Sequence, residues 1–583
     1  MKKDIKSFAS LYGYIKDLPE NDTFLNHRES ESWKTYSKKE FIETVRYLSL
    51  AFDAEGWRGR QIALAIPSSA YWLLIDYALM LSGAVSVPLF TNISSKNLRF
   101  QIQDADLHTV FTQTEEQEKI ILDADSSITC INIDSSDPTR QSLEALIQTG
   151  KEIDQQSPDR FEKLISGISS DDLVTIVYTS GTSGLPKGVE LTHFNLISQI
   201  LDTSENYKLY PDKDTALSLL PLAHIFERMV MHYYLSTGIS VYFADDVRNI
   251  GNLLNSVHPT VMTVVPRLLE KVCFKMHTKA MAGSLVKKII AMIAFYRTNH
   301  KDPENSNNWL DNLLDKLVYS KFRNSLGGNL RMMISGGAPL ADDIYRFFLN
   351  IGIPLYQGYG LTEASPVICA NAPGKNKVGT CGRRFSHTET KIDKDGELFA
   401  RGPGIMRGYH NNPEATREVI DHDGWLRTGD LATMDDEKYI TITGRSKELS
   451  KTSTGEYISI HYIEHFLMMS GWFDHVLIIG NNRPFVVVLL MVDSGVALEF
   501  AQKYGLKDKE DVVESRQFQK QVWRIISKIN RKLNHWEKIR DFYLIPEPLT
   551  VENGDLTPSM KLARDHVQKR FKEIIERMYK DHI

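Results

Sequence analysis

From Tyr178 to His193 the chain reads YTSGTSGLPKGVELTH. Thr179, Ser180, Thr182 and Ser183 supply rotatable hydroxyl donors. Gly181 and Gly184 let the backbone come close to a guest, and Lys187 adds a compact positive charge. Backbone N–H groups, hydroxyls and one cation in a single loop suit phosphate oxygens. The apolar run LVTIVY ahead of the loop reads as a buried strand, and a helix is expected from Thr192, so the loop should join strand to helix. A nucleotide P-loop ends in Gly-Lys-Ser/Thr. Here Lys187 follows Pro186 and precedes Gly188, so that template fails.

Other segments carry complementary chemistry. In YQGYGLTEASP (Tyr356–Pro366), Tyr359 offers a flat face to a purine, and Gly358 and Gly360 permit close backbone approach. Thr362 can donate to a phosphate, and Glu363 is a hard oxygen ligand suited to Mg²⁺ beside phosphates. Asp430, in DGWLRTGDLA, can accept two hydroxyl hydrogen bonds from a ribose diol. ISGGAPL, LPLAHIFER and DLTPSMKLARD bring Gly337, His224 and Lys561. Each has a plainer reading when taken alone. Glu363 is then a surface acid, Asp430 a turn residue, Gly337 part of a tight turn, His224 a satisfied core histidine and Lys561 a solvated lysine.

Together these segments resemble those of the adenylate-forming enzymes: acyl-CoA synthetases, luciferases and peptide-synthetase adenylation domains. The resemblance runs from the N-terminal strands to Lys561. It implies that Thr179, Ser180, Gly181, Thr182, Ser183, Gly184 and Lys187 hold the β- and γ-phosphates of ATP. Gly337, Ala338 and Pro339 then wall the adenine and acyl pockets, and Gln357, Gly358, Tyr359, Gly360 and Thr362 complete the nucleotide site. By the same resemblance Asp430 and Arg445 take the ribose, Glu363 and Thr179 ligate Mg²⁺, and Lys447 is a hinge. Lys561, His224 and Thr362 form the catalytic set, with Lys561 as catalytic cation and His224 near the substrate carboxylate. The implied reaction makes acyl-AMP and pyrophosphate from a carboxylate and ATP, then an acyl thioester on coenzyme A with release of AMP. The stretch DKLVYSKFRNSLGGNLRMMISGGAPL looks like bacterial long-chain fatty acyl-CoA synthetases, which implies a medium- to long-chain fatty acid. Loading of a carrier-protein thiol, a luciferase-like oxygenase and a non-catalytic relative remain as alternatives. Two departures, Ser459-Ile460 and Leu562-Ala563-Arg564, fall in the C-terminal part that serves the thiol step.

The elements that must position these residues are legible in outline. A chain of 583 residues, 42% hydrophobic and 25% charged, is ordinary globular composition and long enough for more than one domain. A net charge of −5 without a basic stripe argues against a nucleic-acid partner. Cys130, Cys273, Cys369 and Cys381 lack C-x-x-C spacing, which favours a reducing compartment; the expected location is cytoplasmic, with peripheral membrane contact open. The apolar stretch Ala70 to Phe90 contains Asp76, Gly83 and Pro88, so it reads as buried helix then strand, not a membrane span. Ser37–Glu40 is a capping box ahead of Phe41, Val45, Leu48 and Phe52 at helical spacing. Strand–helix alternation predicts an α/β fold: a large domain of layered, parallel-rich sheets and helices over residues 1–444, and a small α+β domain over 445–583, which the resemblance implies is mobile. Between Leu269 and Leu326 a helical excursion is expected, its apolar helix near Leu285–Phe295 read first as a buried packing helix and second as a membrane contact. In the tail, Phe518, Val522, Ile525, Ile529 and Leu533 predict an amphipathic helix. Oligomeric state has no sequence signal.

Overall fold

The computed structural model describes residues 4–580, apart from 30–31, 136, 138–139, 181–184, 247–248, 306–307, 446–449, 454–455, 459 and 559. At Ser180, Ser450, Lys451, Tyr457, His461 and His465 only the backbone is described. Gly181, Thr182, Ser183, Gly184, Lys447 and Ser459 therefore lie outside the described residues.

Local signals translate directly into helices. The Ser37 hydroxyl and the Glu40 carboxylate form the reciprocal cap of the helix Lys38–Ala54, which buries Phe41, Val45, Leu48 and Phe52. The helix Ala70–Ser82 is buried along its whole length and stops at Gly83, whose φ of 78° is the left-handed cap. Among the described residues no helix is long and apolar enough to cross a membrane.

Two large sheets carry the site. One has seven strands, with Gln61–Leu64, Val85–Pro88, Thr109–Thr112 and Thr129–Asn132 paired parallel. Leu173–Ser180 joins them, and Pro186–Thr192 and Gly408–Tyr409 extend the edge antiparallel. The other has nine strands. At its centre Thr215–Ser218, Val261–Val264, Met332–Ser335 and Leu355–Gly360 run parallel. Parallel strands place their carboxyl ends on one side, and ligands of open α/β sheets bind there. A four-stranded antiparallel sheet contains Leu426–Met434 against Ile440–Arg445. Farther along, Phe473–Ile479, Val486–Val492 and Ile539–Ile545 form a separate three-stranded sheet with its own core. Arg267 of the helix Pro266–Met281 donates to the Phe473 carbonyl at 2.8 Å and so ties this part to the rest.

Three expectations need correction. The phosphate-type loop does not lead from strand to helix. GVELT continues a second strand, so the loop is the tip of an antiparallel hairpin, and the helix His193–Asn206 begins only after it, capped by Thr192. Val189 and Leu191 are fully buried, Glu190 and Thr192 only partly; that alternation is a strand period. In the tail helix Arg516–Asn530, Ile526 is the core residue and Ile525 is only partly buried. The helix Leu285–His300 is not wrapped by core: it buries Ala291, Ala294 and Thr298, packs Ile290 and Phe295 partly against the core, and leaves Leu285, Val286, Ile289, Met292, Ile293 and Tyr296 exposed.

Candidate active site

The hairpin lines one side of the cleft with Thr179 and Lys187. Thr179 and Lys187 face each other in its register. Lys187 Nζ lies 4.6 Å from the ring centroid of Tyr409, which pairs with Val189 on the next strand. The Tyr409 hydroxyl donates to Glu363 Oε1 at 2.8 Å. One aromatic residue thus touches both the lysine and the carboxylate. Burial, then the Glu363 charge, pushes the Tyr409 phenol far above its usual range, so it stays a neutral donor. Glu363 and Thr362 lie on a single turn of 3₁₀ helix directly after the strand Leu355–Gly360.

That strand also lines the cleft. A Cβ on Gly360 would lie 1.8 Å from the Pro366 carbonyl oxygen, so only glycine fits. The Tyr359 hydroxyl donates to Asp430 Oδ2 at 2.5 Å, and Arg445 Nε reaches Asp430 Oδ1 at 3.2 Å. Asp430 and Arg445 are direct partners across two antiparallel strands, which brings them together from separate motifs. The bond to Asp430 tethers the Tyr359 hydroxyl beside a carboxylate that lines the cleft.

The segment that carries Lys561 closes over the opposite side of the cleft. Lys561 Nζ donates to the Gly337 carbonyl at 2.8 Å, in a loop where Gly337 has a φ of +78°. Asn92 Nδ2 donates to the Pro558 carbonyl at 3.1 Å and holds the same segment. Loss of solvation lowers the Lys561 pKa from the ordinary lysine value, with Arg445 pushing the same way and Asp430 opposing. Solvent still reaches Lys561 in the open cleft, which moderates that shift.

His224 precedes the helix Ile225–Thr237 and caps it: the Phe226 N–H donates to Nδ1 at 3.3 Å. With Nδ1 accepting, the proton of the neutral ring sits on Nε2. Burial and then the charge of Lys561 lower the His224 pKa to about 4, so the ring is neutral at ordinary pH.

One cleft of about 2100 Å³ brings together Thr179, Lys187, His224, Gly337, Ala338, Pro339, Gln357, Gly358, Tyr359, Gly360, Thr362, Glu363, Asp430, Arg445 and Lys561. The remaining residues of the sequence-derived set lie outside the described residues, or for Ser180 have only backbone described. Three contributors had no sequence motif pointing to them. Tyr409 sits in MRGYH, where a Gly-Tyr pair carries no periodic signal. Asn92 lies in a loop after Val85–Pro88. Glu227 is inside LPLAHIFER, yet it is fully buried, accepting from the Ser218 hydroxyl at 2.6 Å and the Thr263 hydroxyl at 2.5 Å, which locks the His224 segment onto two strand ends. Burial pushes its carboxyl up to about 7 against those hydrogen bonds.

The chain is similar along its length to known proteins. The AMP-binding enzyme family matches residues 16–410, and the AMP-binding enzyme C-terminal domain matches residues 449–582. Long-chain-fatty-acid–CoA ligase FadD15 of Mycobacterium bovis is 29% identical over 562 residues, covering 94% of this chain and 92% of the mycobacterial protein. The peroxisomal long chain acyl-CoA synthetase 7 of Arabidopsis thaliana is 31% identical over 584 residues, 94% of this chain and 82% of the plant protein. In fold, the chain is similar to the A domain of carboxylic acid reductase from Segniliparus rugosus, with a TM-score of 0.76 at 20% identity, covering 100% of this chain and 95% of that one. With family matches over both of its parts, the chain belongs to the AMP-binding enzymes.

Proposed function

We propose that this chain is an AMP-forming ligase that joins a medium- to long-chain fatty acid to coenzyme A at the expense of ATP. The observation that carries the reading is the meeting of Lys187, Glu363, His224 and Lys561 in one cleft. The names of its mycobacterial and plant relatives support the same acid class and acceptor.

In the first half-reaction a carboxylate oxygen bonds to the α-phosphorus of ATP, and the bond from that phosphorus to the bridging oxygen breaks to release pyrophosphate. Two anions must meet. At 4 Å they repel by about 4 kcal/mol in a medium of effective dielectric about 20. Lys561 supplies positive charge where the carboxylate and α-phosphate crowd, and Lys187 holds the departing phosphates. A preorganised charge of this type is worth about 10²–10³ in rate. His224, neutral and protonated on Nε2, orients the carboxylate without adding charge to the buried wall. Asp430 and Arg445 grip the ribose, and Tyr359 lies against the base. The donor set fits Mg²⁺: Glu363 offers a carboxylate already oriented by Tyr409, and Thr179 a hydroxyl across the same cleft. Bound there, Mg²⁺ supplies charge neutralisation across the phosphates.

In the second half-reaction the thiol of coenzyme A displaces AMP from the acyl group. Lys561 then blocks the reacting carbonyl and must withdraw. A large domain of residues 1–444 and a small one of 445–583, turning about Lys447, provide that movement.

Pyrophosphate release, measured across a panel of carboxylic acids with and without coenzyme A, tests the proposal. Fatty acids above about eight carbons should react, because apolar transfer energy accumulates per CH₂. Acyl-CoA should appear only when coenzyme A is added. Failure of every acid above that length removes the substrate class; turnover only with an acyl carrier protein removes coenzyme A as acceptor.

A further inference from the structure

Twenty large apolar side chains are exposed among the described residues, and nine of them fall between Leu285 and Leu317. On the helix Leu285–His300, Leu285, Ile289, Met292 and Tyr296 form one outward stripe at helical spacing, 50–78% exposed. Trp309, Leu313 and Leu317 repeat the pattern along the next helical stretch. The two stretches pack together through inward groups: the Tyr319 hydroxyl donates to the Ala294 carbonyl at 3.1 Å, and Arg297 pairs with Asp311 at 2.9 Å. The outer side chains are therefore not a failed core. The inner faces are satisfied; on the outer face Tyr296 stacks on His300 of its own helix, and the stripe as a whole stays exposed.

Charge narrows the occupant. Between Lys271 and Asn324 there are ten basic and four acidic residues, in a chain whose net charge is −5. Asp311 is already paired with Arg297 and Lys301, and Asp315 with Arg323. Lys287 and Lys316 are exposed on the same two stretches as the apolar stripe. A second copy of the chain would bring this basic face against itself, which like charges oppose. An anionic lipid surface satisfies both features: apolar side chains enter the acyl boundary, Trp and Tyr sit at headgroup depth, and lysines meet phosphates.

From this placement we infer that the paired stretches form a docking face for anionic membrane surfaces. The face adjoins the site through the helix Pro266–Met281, whose first residues Pro266 and Arg267 line the cleft and which packs on Leu285–His300. A substrate that partitions into lipid would then be taken up beside the membrane, and that clause alone rests on the fatty-acid reading.

Flotation of the full chain with vesicles of equal parts phosphatidylcholine and phosphatidylglycerol, and with phosphatidylcholine alone, tests the face without turnover. The wild type should float with the anionic vesicles and be released by salt. Ile289→Glu with Met292→Glu should cut flotation about tenfold or more, and Lys287→Glu with Lys316→Glu should do so only for the anionic vesicles. Leu498→Glu, at an exposed apolar site elsewhere, should float as wild type. Unchanged thermal midpoints and unchanged pyrophosphate release with a water-soluble acid show that the variants are folded. The inference is overturned if the wild type does not float, if both double variants float normally, or if they only convert a dimer to a monomer in sedimentation. Absence of ligase activity with intact flotation would remove the proposed reaction and leave the docking face standing.

Discussion

Tyr409 is the residue whose role depends most on the three-dimensional arrangement. Its ring faces Lys187 and its hydroxyl serves Glu363. A cation over an aromatic ring contributes about 0.5–2 kcal/mol, and a hydrogen bond to a charged acceptor about 1.5–3. Tyr409→Phe should therefore raise the Mg²⁺ concentration needed for half-maximal pyrophosphate release about tenfold while leaving KM for the fatty acid unchanged. Tyr409→Leu should also weaken ATP binding in calorimetry. A rise confined to the fatty-acid KM would contradict this assignment. Lys561 makes a pH prediction. Its folded pKa is lowered, and on the proposed reading the protonated form is the active one, so adenylation should be complete below that pKa and be lost as pH rises through it. The basic limb should begin below the ordinary lysine range, and Lys561→Arg, weaker overall, should move it upward. A pH profile of pyrophosphate release checks both. Lys187, Glu363, Asp430 and Lys561 were grouped from the sequence through the resemblance of their short segments, and all four line one cleft. Tyr409 was not so grouped, because its two partners lie 222 and 46 positions away and no local pattern encodes them.

Elements built on period and caps were legible, whereas their partners were not. The capping box at Ser37 and the buried run after Ala70 predicted two helices, since both signals are local. GVELT was misread because five residues can suit a strand or a loop, and only pairing with Leu173–Ser180 decides. Asp76 marked its helix as unsuited to a membrane, yet nothing nearby told why an acid belongs there. The fold supplies the reason. Arg228 donates from Nε and Nη2 to both Asp76 oxygens at 2.9 and 2.6 Å, Ser86 adds a hydroxyl at 2.7 Å, and both charges are fully buried. Arg228 lies one turn beyond His224, so the pair anchors the helix that presents the histidine. Asp76→Ala leaves a buried guanidinium unpaired and should cost about 3–5 kcal/mol, seen as a lowered thermal midpoint and loss of expression as folded protein. Adding Arg228→Met should restore much of the midpoint. A double variant no more stable than Asp76→Ala would argue that the pair does more than neutralise itself.

At the scale of the whole molecule, the argument depends on a lysine from the C-terminal part reaching a carbonyl after Met332–Ser335 in the large sheet. Layered parallel sheets followed by a small α+β unit were readable from alternation and composition. The relative placement was not, because contacts such as Arg267 to the Phe473 carbonyl and Asn92 to the Pro558 carbonyl join segments with no shared pattern. On the proposed reading, Lys561 in this placement serves the first half-reaction and would obstruct the second. The two should therefore separate on one substitution. The decisive measurement is the rate of each half-reaction in Lys561→Ala: pyrophosphate release from ATP and a long-chain fatty acid, and acyl-CoA formation from supplied acyl-adenylate and coenzyme A. The account predicts that the first falls by about 10²-fold or more while the second stays within a few-fold of wild type. Equal loss of both, or an unchanged first step, would contradict it.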